Sequence, residues 1–176
     1  MDKSLLAFRE VKISDAKDWC FIANKVWRDA YKDIFPEEVF IERDKNVNEK
    51  IDSFKNRVLN SDSNISYVAL YDGKVIGIMG GKIKTTYDFL DDNYADLTVL
   101  YIDPKYQGLG IGSELKNIFE QWIKLNGVNK YVICVLKGNI KARKVYEAWG
   151  GTLLNNEDNY DILGVSYPTI FYTFDL

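Results

Sequence analysis

The sequence predicts an α/β or α+β fold in which one central sheet carries helices on both faces. Three observations favour this class. Segments with alternating apolar residues and segments with apolar residues three and four apart occur in mixed order along the chain. An Asp-Gly pair at 72–73 separates two β-rich segments, which is typical of a hairpin. No Pro/Gly/Ser-rich linker, repeat or low-complexity segment divides the chain, so residues 1–176 are expected to form a single domain.

The first third is predicted to be one strand followed by helices. Alternation favours a short strand at 7–13, and Ser14 is the expected N-cap of a helix ending near Ile34. The apolar face of that helix comprises Trp19, Ile22, Ala23, Val26 and Ala30. Pro36 is expected at the first position of a second, short helix. A third helix is expected to end before the polar segment 60–64, and its apolar stripe comprises Ile51, Phe54 and Val58.

The rest of the chain alternates strands with helices. The predicted strands are residues 65–71, 75–84, 95–102, 131–136 and, with a Gly/Pro-containing interruption, 152–174. Asp103 and Pro104 end the third of these, and an amphipathic helix then continues to Gly127 as its C′ residue. Its apolar face comprises Leu115, Ile118, Phe119 and Trp122. A last helix is expected from Asn139 as N-cap to Trp149, before Gly150 and Gly151.

The composition excludes several chemistries. The 176 residues include no histidine, so His-dependent triads, His-ligated zinc and His general bases are absent. Any acid or base must be Asp, Glu, Tyr, Cys, Lys or water. The 23 Lys and Arg against 26 Asp and Glu give a net charge of −3, which disfavours a nucleic-acid partner and suits an amine or another cationic one.

The two cysteines and the lack of long apolar segments indicate a cytoplasmic protein. Cys20 and Cys134 lie in apolar stretches without the spacing of a zinc site or a disulfide framework, so both are expected to be buried free thiols. Residues 1–12 lack the apolar core of a signal peptide. No apolar segment reaches the roughly 18 residues of a membrane span. We therefore expect no membrane partner.

The segment 101–113 lies between a predicted strand and a predicted helix, and it carries Gly108, Gly110 and Gly112. Glycines let a ligand approach the backbone, and a helix start offers unpaired N–H groups to a phosphate. A nucleotide P-loop is excluded because Ser113-Glu114 replaces the required Lys-Ser/Thr. A dinucleotide fingerprint fits poorly because its third glycine would fall at Ser113. The remaining interpretations are a pyrophosphate cradle and a glycine turn that merely caps a helix.

Two motifs together resemble those of the GNAT superfamily of N-acetyltransferases. Gln107-x-x-Gly110-x-Gly112, directly after a strand, is similar to the family's acetyl-CoA signature, and Asn139 followed seven residues later by Tyr146 is similar to its second motif. The resemblance covers nearly the whole chain except the termini and an insertion at 85–93. It implies a mixed, mostly antiparallel sheet with two splayed parallel strands, acetyl-CoA as co-substrate, no metal, and in many relatives a homodimer.

The resemblance also assigns the acetyl-CoA contacts, which are mostly made by the backbone. Main-chain groups of Leu100, Tyr101 and Ile102 would hold the pantetheine arm and polarise the thioester carbonyl. The pyrophosphate would be bound by Gly108, Leu109, Gly110, Ile111, Gly112 and Ser113. Gln107 and Tyr146 are further expected contacts to acetyl-CoA. Asn139 is explained equally well as an N-cap and as a contact to the co-substrate, and the two roles are compatible.

Tyr146 matches the family's proton donor, and a phenol with a pKa of about 10 stays protonated at neutral pH, so it can protonate the departing thiolate. The base is less defined. Some relatives carry a Glu on the second splayed strand, where this chain has Cys134, whose apolar neighbours argue against a thiolate base. Asp96, early on the first splayed strand, is the alternative, acting directly or through water. The competing interpretation makes Asp96 an exposed residue at the start of a strand.

The acceptor is expected to be a small-molecule or peptide amine that the sequence does not identify. An aromatic and acidic mouth would suit a cationic amine. The residues available for it are Trp27, Tyr31, Phe35, Asp88, Asp91 and Asp92. The same aromatics can equally be core and the acids a solvated loop. An alternative function is a non-catalytic domain that binds or senses acyl-CoA, which the missing Glu at Cys134 would allow.

Overall fold

A computed structural model describes residues 1–59 and 63–176 and contains one seven-stranded sheet. Its strands are β1 Leu6–Glu10, β2 Asn64–Tyr71, β3 Lys74–Lys82, β4 Tyr94–Ile102, β5 Lys130–Leu136, β6 Thr152–Ile162 and β7 Val165–Asp175. They lie in the order β1-β2-β3-β4-β5-β7-β6. Every neighbouring pair is antiparallel except β4 and β5, which are parallel. The predicted mixed, mostly antiparallel sheet is confirmed.

Helices cover both faces of the sheet, as predicted. The five α-helices of the described residues are α1 Ala16–Tyr31, α2 Glu37–Lys45, α3 Val47–Leu59, α4 Ile111–Leu125 and α5 Ile140–Ala148. The apolar sides of α1 and α3 pack with residues of β2, β3 and β4 on one face. Helix α4 packs on the other face, where α5 joins it through Tyr146 and Trp149. Within these described residues no helix combines the length and the apolar character needed to cross a membrane.

The amino-terminal boundaries differ from the prediction by a few residues. Strand β1 ends at Glu10, and Ser14 lies within a 3-10 turn, so that Asp15 and not Ser14 is the N-cap of α1. The reason is an ion pair: the Asp15 carboxylate accepts two bonds from Arg9, at 2.6 and 2.9 Å, which ties the turn to β1. Pro36 is the N-cap of α2 and does not occupy its first helical position.

The later turns follow their local sequence closely. Asp72 and Gly73 adopt φ of 50° and 74°, the conformation of a tight hairpin turn, and Gly127 ends α4 at φ 79°. The sequence predicted an interruption containing Gly and Pro between residues 152 and 174. The interruption is the turn between β6 and β7, and Pro168 does not belong to it but lies inside β7. Pro168 is tolerated because it lies one residue beyond the last β5–β7 pair, and its carbonyl accepts the N–H of Lys137 at 2.8 Å.

The third helix, α3, ends at Leu59, close to its predicted end. Phe54 is buried at its centre, and Ile51 and Val58 are half-buried beside it, which confirms the predicted apolar stripe. Residues 60–62, which form most of the polar segment predicted to follow, lie outside the described residues.

The largest apolar cluster lies between the sheet and α4 and fixes the strands that carry the site. Phe119 of α4 meets Tyr131 of β5 edge to face at 5.3 Å, and Tyr131 stacks on Phe174 of β7 at 4.5 Å. The buried Tyr131 hydroxyl donates to Glu120 at 2.7 Å, so its polar group is satisfied. Strand β5 is therefore held firmly on the α4 side, and its other face is left to form a site.

Candidate active site

The sheet opens between its two parallel strands. Strands β4 and β5 pair over only three positions, from Tyr94 with Lys130 to Asp96 with Val132. Beyond these pairs β4 continues against β3, as far as Ile102 with Gly77, and β5 continues against β7, as far as Leu136 with Thr169. We call the opening between residues 97–102 and 133–136 the cleft. Its strand edges carry backbone groups that an extended ligand can bond as an added strand would.

One extra residue in β4 changes the direction of its side chains inside the cleft. Lys82 pairs with Asp96 and Gly80 pairs with Val99, so three steps along β4 match two along β3, which is a β-bulge. Before the bulge Ala95 and Leu97 pack toward α4, and after it Val99 and Tyr101 pack toward α1. Because side chains alternate along a strand, Asp96 points away from α4, and the bulge places Tyr101 on that same α1 side.

Asp96 is buried at the mouth of the cleft, with 4% of its surface exposed. The interpretation of Asp96 as an exposed strand-start residue is therefore wrong. Burial raises the pKa of its carboxyl to about 6, with Lys82 acting weakly in the opposite direction. A carboxylate with such a pKa is mostly ionised at pH 7 and binds a proton more strongly than an ordinary aspartate does.

Cys134 lies on the α1 side of β5, next to both Asp96 and Tyr87. It is half-buried and not fully buried as its apolar neighbours suggested, because it borders the cleft. Burial raises the pKa of its thiol, and the nearby Tyr87 and Thr169 lower it to a smaller extent. Cys134 is thus a thiol at neutral pH. Both cysteines are free, as expected.

Tyr87 was missed from the sequence because it lies in the 85–93 insertion, which no motif covers. Its ring packs edge to face on Phe171 of β7 at 4.8 Å, and Phe89 stacks on Tyr87 at 5.6 Å. Burial, followed by Cys134 and Asp96, raises the pKa of the Tyr87 phenol. The aromatic pair Tyr87 and Phe89 in an otherwise polar loop could have indicated a packing role. The strand on which the pair packs, β7, lies about 80 residues further along the sequence, so its identity could not be predicted.

Tyr146 projects from α5 toward the cleft from the opposite side. Its ring lies 5.8 Å from Tyr172 and 5.9 Å from Trp149, and it is half-buried between them. Burial raises the pKa of the Tyr146 phenol, and the proximity of Tyr101 and Cys134 raises it further. Tyr146 is therefore protonated at neutral pH. Cys134 interacts electrostatically with both Asp96 and Tyr146, so both predicted catalytic side chains lie within electrostatic range of Cys134 at the cleft.

The segment 107–113, which we call the glycine loop, presents an open backbone surface at the start of α4. Gly108 and Gly110 have φ of 76° and 82°, and nothing lies within 4 Å of a Cβ added at either position. The first backbone bond of the helix runs from the Glu114 N–H to the Gly110 carbonyl at 3.1 Å. The N–H groups of residues 108–113 donate to no acceptor in the described parts of the chain. These residues fit the pyrophosphate of acetyl-CoA.

Side-chain contacts fix this loop to its surroundings. Gln107 donates to the Ile102 carbonyl at 2.9 Å and accepts from Lys141 of α5 at 2.5 Å, so its side chain joins the two sequence motifs. Asp103 pairs with Lys25 of α1 at 2.6 Å and accepts the Lys105 N–H at 3.1 Å. Lys141, which was missed from the sequence, also brings an exposed ammonium group to the glycine loop.

Asn139 is the N-cap of α5, as predicted. Its side-chain oxygen accepts the Ala142 N–H at 3.2 Å, and the residue is buried. Its amide also lies close enough to the Tyr31 phenol to affect that group's pKa, which burial raises. Asn139 thus connects the start of α5 with the end of α1.

The aromatic residues predicted at the mouth form a packed cluster on the α1 side of the cleft. Trp27 meets Tyr31 at 4.9 Å and Phe35 at 5.6 Å, and its indole N–H donates to the Tyr101 hydroxyl at 2.9 Å. Tyr160 of β6 closes the cluster at 5.7 Å from Trp27. The three residues named from the sequence therefore lie together, next to Tyr101 of the cleft.

The predicted acids lie on the 85–93 insertion and outside the packed aromatic cluster. Asp88, Asp91 and Asp92 are exposed, and Asp92 pairs with Lys84 at 2.7 Å. Two other carboxylates, Asp96 and Asp158 of β6, lie near the cleft, because the negative charge of each raises the pKa of the Cys134 thiol. Asp158 was missed because its position depends on the pairing of β6 with β7, where it lies opposite Thr169.

Several solved structures that are described as acetyltransferases have a similar fold. PaiA N-acetyltransferase from Thermoplasma acidophilum, in complex with coenzyme A, superposes with a TM-score of 0.72 at 21% identity, over 97% of this chain and 99% of that one. An acetyltransferase from Thermus thermophilus gives a TM-score of 0.70 at 16% identity, over 97% of both chains. The YncA structure from Salmonella typhimurium, with its cofactor acetyl-CoA, gives 0.65 at 15% identity over 97% and 94%. These likenesses confirm the fold class.

The profile of the acetyltransferase (GNAT) family matches residues 24–151. The chain belongs to this family, which confirms the resemblance found in the sequence. Two curated relatives are N-acetylaspartate synthetases. The one from Danio rerio is 25% identical over 100 residues, which are 57% of this chain and 34% of the relative. The one from Xenopus tropicalis is 26% identical over 104 residues, which are 59% of this chain and 36% of the relative. The chain thus matches about a third of the length of these relatives.

Proposed function

We propose that residues 1–176 act as one domain that transfers an acetyl group from acetyl-CoA directly to a primary amine. The observation that supports the proposal is that Asp96, with its raised pKa, and the protonated Tyr146 both interact electrostatically with Cys134 beside the cleft. One group is poised to accept a proton and the other to donate one. A site built for binding alone has no need for this pairing.

The cleft and the glycine loop assign the parts of acetyl-CoA to this chain. The pantetheine arm would lie along Leu100, Tyr101 and Ile102, and the pyrophosphate at the N–H groups of residues 108–113. Asn139, at the start of α5, is proposed as a further contact to acetyl-CoA. In this arrangement the thioester points toward Asp96 and Tyr146.

The transfer forms one C–N bond and breaks one C–S bond. The amine nitrogen attacks the thioester carbonyl and loses a proton to the Asp96 carboxylate, directly or through water. Tyr146 gives its proton to the sulfur of the departing coenzyme A, and exchange with water restores both groups. An alkylamine is neutral only about once in 10³ molecules at pH 7, so a base with a raised pKa assists the attack.

Direct transfer is favoured over an acetyl-enzyme on Cys134. A thiol whose pKa burial has raised is a poor nucleophile at neutral pH. The chain also lacks any histidine that would deprotonate it. Intact mass spectrometry of the protein with acetyl-CoA alone should show no added acetyl group on Cys134.

The acceptor is proposed to be a small-molecule or peptide amine that enters past the aromatic cluster. Aromatic rings and the carboxylates of Asp96 and Asp158 suit an ammonium group. The N-acetylaspartate synthetases among the relatives add amino-acid amines to the acceptors worth testing.

The proposal is tested by measuring release of the coenzyme A thiol. Purified protein is given acetyl-CoA with a panel of diamines, aminoglycosides, amino acids and peptides, and the acetylated product is identified by mass spectrometry. At least one acceptor should give turnover above thioester hydrolysis. Calorimetric binding of acetyl-CoA without turnover on any amine would instead support the binding or sensing domain.

The remaining expectations stay predictions. They are a homodimer, which light scattering would detect, a cytoplasmic location, and the absence of nucleic-acid, membrane and metal partners. In the described residues no group of three or more Cys, Asp or Glu side chains is placed to hold a metal ion.

A further inference from the structure

A second cavity, which we call the helix cavity, lies among the first three helices. Its volume is about 200 Å³, large enough for a small organic molecule but not for a coenzyme. Its lining residues come only from α1, α2 and α3, and none belongs to the cleft or the glycine loop: Trp19, Cys20, Ala23, Asn24, Arg43, Lys50, Ser53, Phe54 and Arg57. The established family activity gives this space no role.

Positive charge dominates the helix cavity. Three of the lining residues, Arg43, Lys50 and Arg57, are cations, and no described lining residue is an acid. None of the three forms an ion pair within residues 1–59 and 63–176. In contrast, Arg28 on α1 pairs with both Glu37 and Asp44 of α2. Asp44 also acts electrostatically on Arg43 and Lys50, and Glu42 acts on Lys50, but neither acid pairs directly with these cations, so the lining of the cavity keeps its excess of positive charge.

The hydrogen bonds of these cations are incomplete. Lys50 donates one bond to the Arg43 carbonyl at 3.1 Å, and Arg43 donates one long bond to Asn24 at 3.4 Å. The Nε atom of Arg43 is buried and has no partner among the described residues. Burial lowers the pKa of Arg43, of Lys50 and of Arg57. Arg43 and Lys50 are half-buried and Arg57 is exposed, and an anion bound between them would form charge-assisted hydrogen bonds that the described residues do not supply.

The floor of the helix cavity is apolar and aromatic. Trp19 and Phe54 stack at 4.6 Å with 29° between their planes. The Arg57 guanidinium lies 5.0 Å from the centre of the Phe54 ring, which orients it over the same floor. A ligand with an anionic group at one end and a flat apolar body would satisfy both surfaces, whereas a bare inorganic anion would satisfy only the cations.

We propose that the helix cavity binds a small aromatic or aliphatic carboxylate, at a site separate from that of acetyl transfer. Lys50 and Arg57 hold the carboxylate, and the positive charge of Arg43 adds to the attraction. Trp19 and Phe54 contact the apolar body of the ligand. The inference does not depend on the proposed function, because no residue that lines the helix cavity belongs to the cleft, although Arg43 also lies 3.6 Å from the centre of the Trp27 ring in the aromatic cluster.

Isothermal titration calorimetry with sodium benzoate tests the site. The protein is saturated with coenzyme A beforehand, so that the glycine loop is occupied and does not compete for the anion. Wild type should bind benzoate. Lys50→Gln and Arg57→Gln should each raise the Kd roughly tenfold, the effect of losing one charge-assisted contact. Lys55→Gln is the matched control, since Lys55 lies on the same helix, does not line the helix cavity and pairs with Asp52.

Two further ligands test the chemistry of the site. Neutral benzamide, which has the same ring, should not bind measurably, and inorganic phosphate at equal ionic strength should bind more weakly than benzoate. In labelled protein, benzoate should shift the indole N–H resonance of Trp19. No binding of benzoate to wild type, equal binding of benzamide or phosphate, or unchanged binding in Lys50→Gln and Arg57→Gln would each overturn the proposal. Circular dichroism of the variants checks that all are folded.

Discussion

Replacing Asp96 by Asn should slow acetyl transfer and, at the same time, make the protein more stable. The substitution keeps the shape of the side chain and removes the charge that burial disfavours. Asp96 has 4% of its surface exposed, and its pKa is raised from 3.8 to about 6. The same burial therefore makes Asp96 a better base and makes the folded protein less stable. Asp96→Asn should accordingly lower the rate of acetyl transfer and raise the free energy of unfolding.

The kinetic magnitude follows from protonation. Between about pH 6 and 9 the rate rises with the free amine, so log kcat/KM should climb with a slope near one. Below about pH 6 Asp96 also becomes protonated, and the slope should steepen to nearly two. Asp96→Asn should lose roughly 10² in kcat/KM at pH 7 and should keep a slope near one throughout.

The stability magnitude follows from the same pKa. A rise of about two pKa units at about 1.4 kcal/mol each corresponds to a penalty of about 3 kcal/mol for the ionised form. Between pH 4 and 6 the folded state holds the proton more often than the unfolded state. Stability should therefore fall as pH rises through this window, and the penalty is complete above about pH 6. Asp96→Asn should recover up to about 3 kcal/mol at pH 7.

The assays are coenzyme A release across pH 4.5 to 9, with the acceptor found by the amine panel, and urea unfolding of the protein without ligand. Asp88→Asn is the control, because Asp88 is an exposed acid of the neighbouring loop. It should leave both the slope and the free energy of unfolding unchanged. A variant Asp96→Asn that retains the steep acid limb, or that is less stable than wild type at pH 7, would refute the reasoning.

Three further predictions concern the acid, the phosphate cradle and the thiol. Tyr146→Phe should lower kcat roughly 10²-fold with little change in the KM for acetyl-CoA, because the phenol acts on the leaving sulfur; an unchanged kcat removes Tyr146 from the mechanism. Gly110→Ala should raise the KM for acetyl-CoA, because φ of 82° strains any residue with a Cβ. Gly164→Ala, at φ 77° in the β6–β7 turn, imposes the same strain and should leave that KM unchanged. Cys134→Ala should retain most of the kcat, because the thiol takes no part in direct transfer. A large loss of kcat in this variant would indicate an acetyl-enzyme.

Features set by neighbouring residues were predictable from the sequence. The hairpin at Asp72-Gly73, the end of α4 at Gly127 and the N-cap at Asn139 each depend on the conformational preference of one or two residues. The glycine loop was found for the same reason. Ser14 was misplaced as the N-cap because the choice between Ser14 and Asp15 depended on Arg9, an ion-pair partner on another element.

Features set by distant pairing were not predictable. The burial of Asp96 requires β5 and the 85–93 insertion to cover it, and the sequence left that question open. Tyr87 lies beside Cys134 only because its ring packs on Phe171, and Asp158 acts on the cleft only because β6 pairs with β7. The helix cavity likewise depends on how α3 packs on α1, which periodicity alone does not determine.

Because of the bulge in β4, the number of residues in this strand determines which side chains face the cleft. Asp96 and Tyr101 are five residues apart, an odd separation that in a regular strand would place them on opposite faces. Deleting Thr98 would restore strict alternation and turn one of the two into the apolar core against α4. An alignment gap at this position in a homologue therefore indicates a changed mechanism, whereas a gap in the 85–93 insertion changes what covers Asp96 without reversing the direction of its side chain. Redesign of the acceptor site should vary the insertion and keep the residue count of β4 fixed.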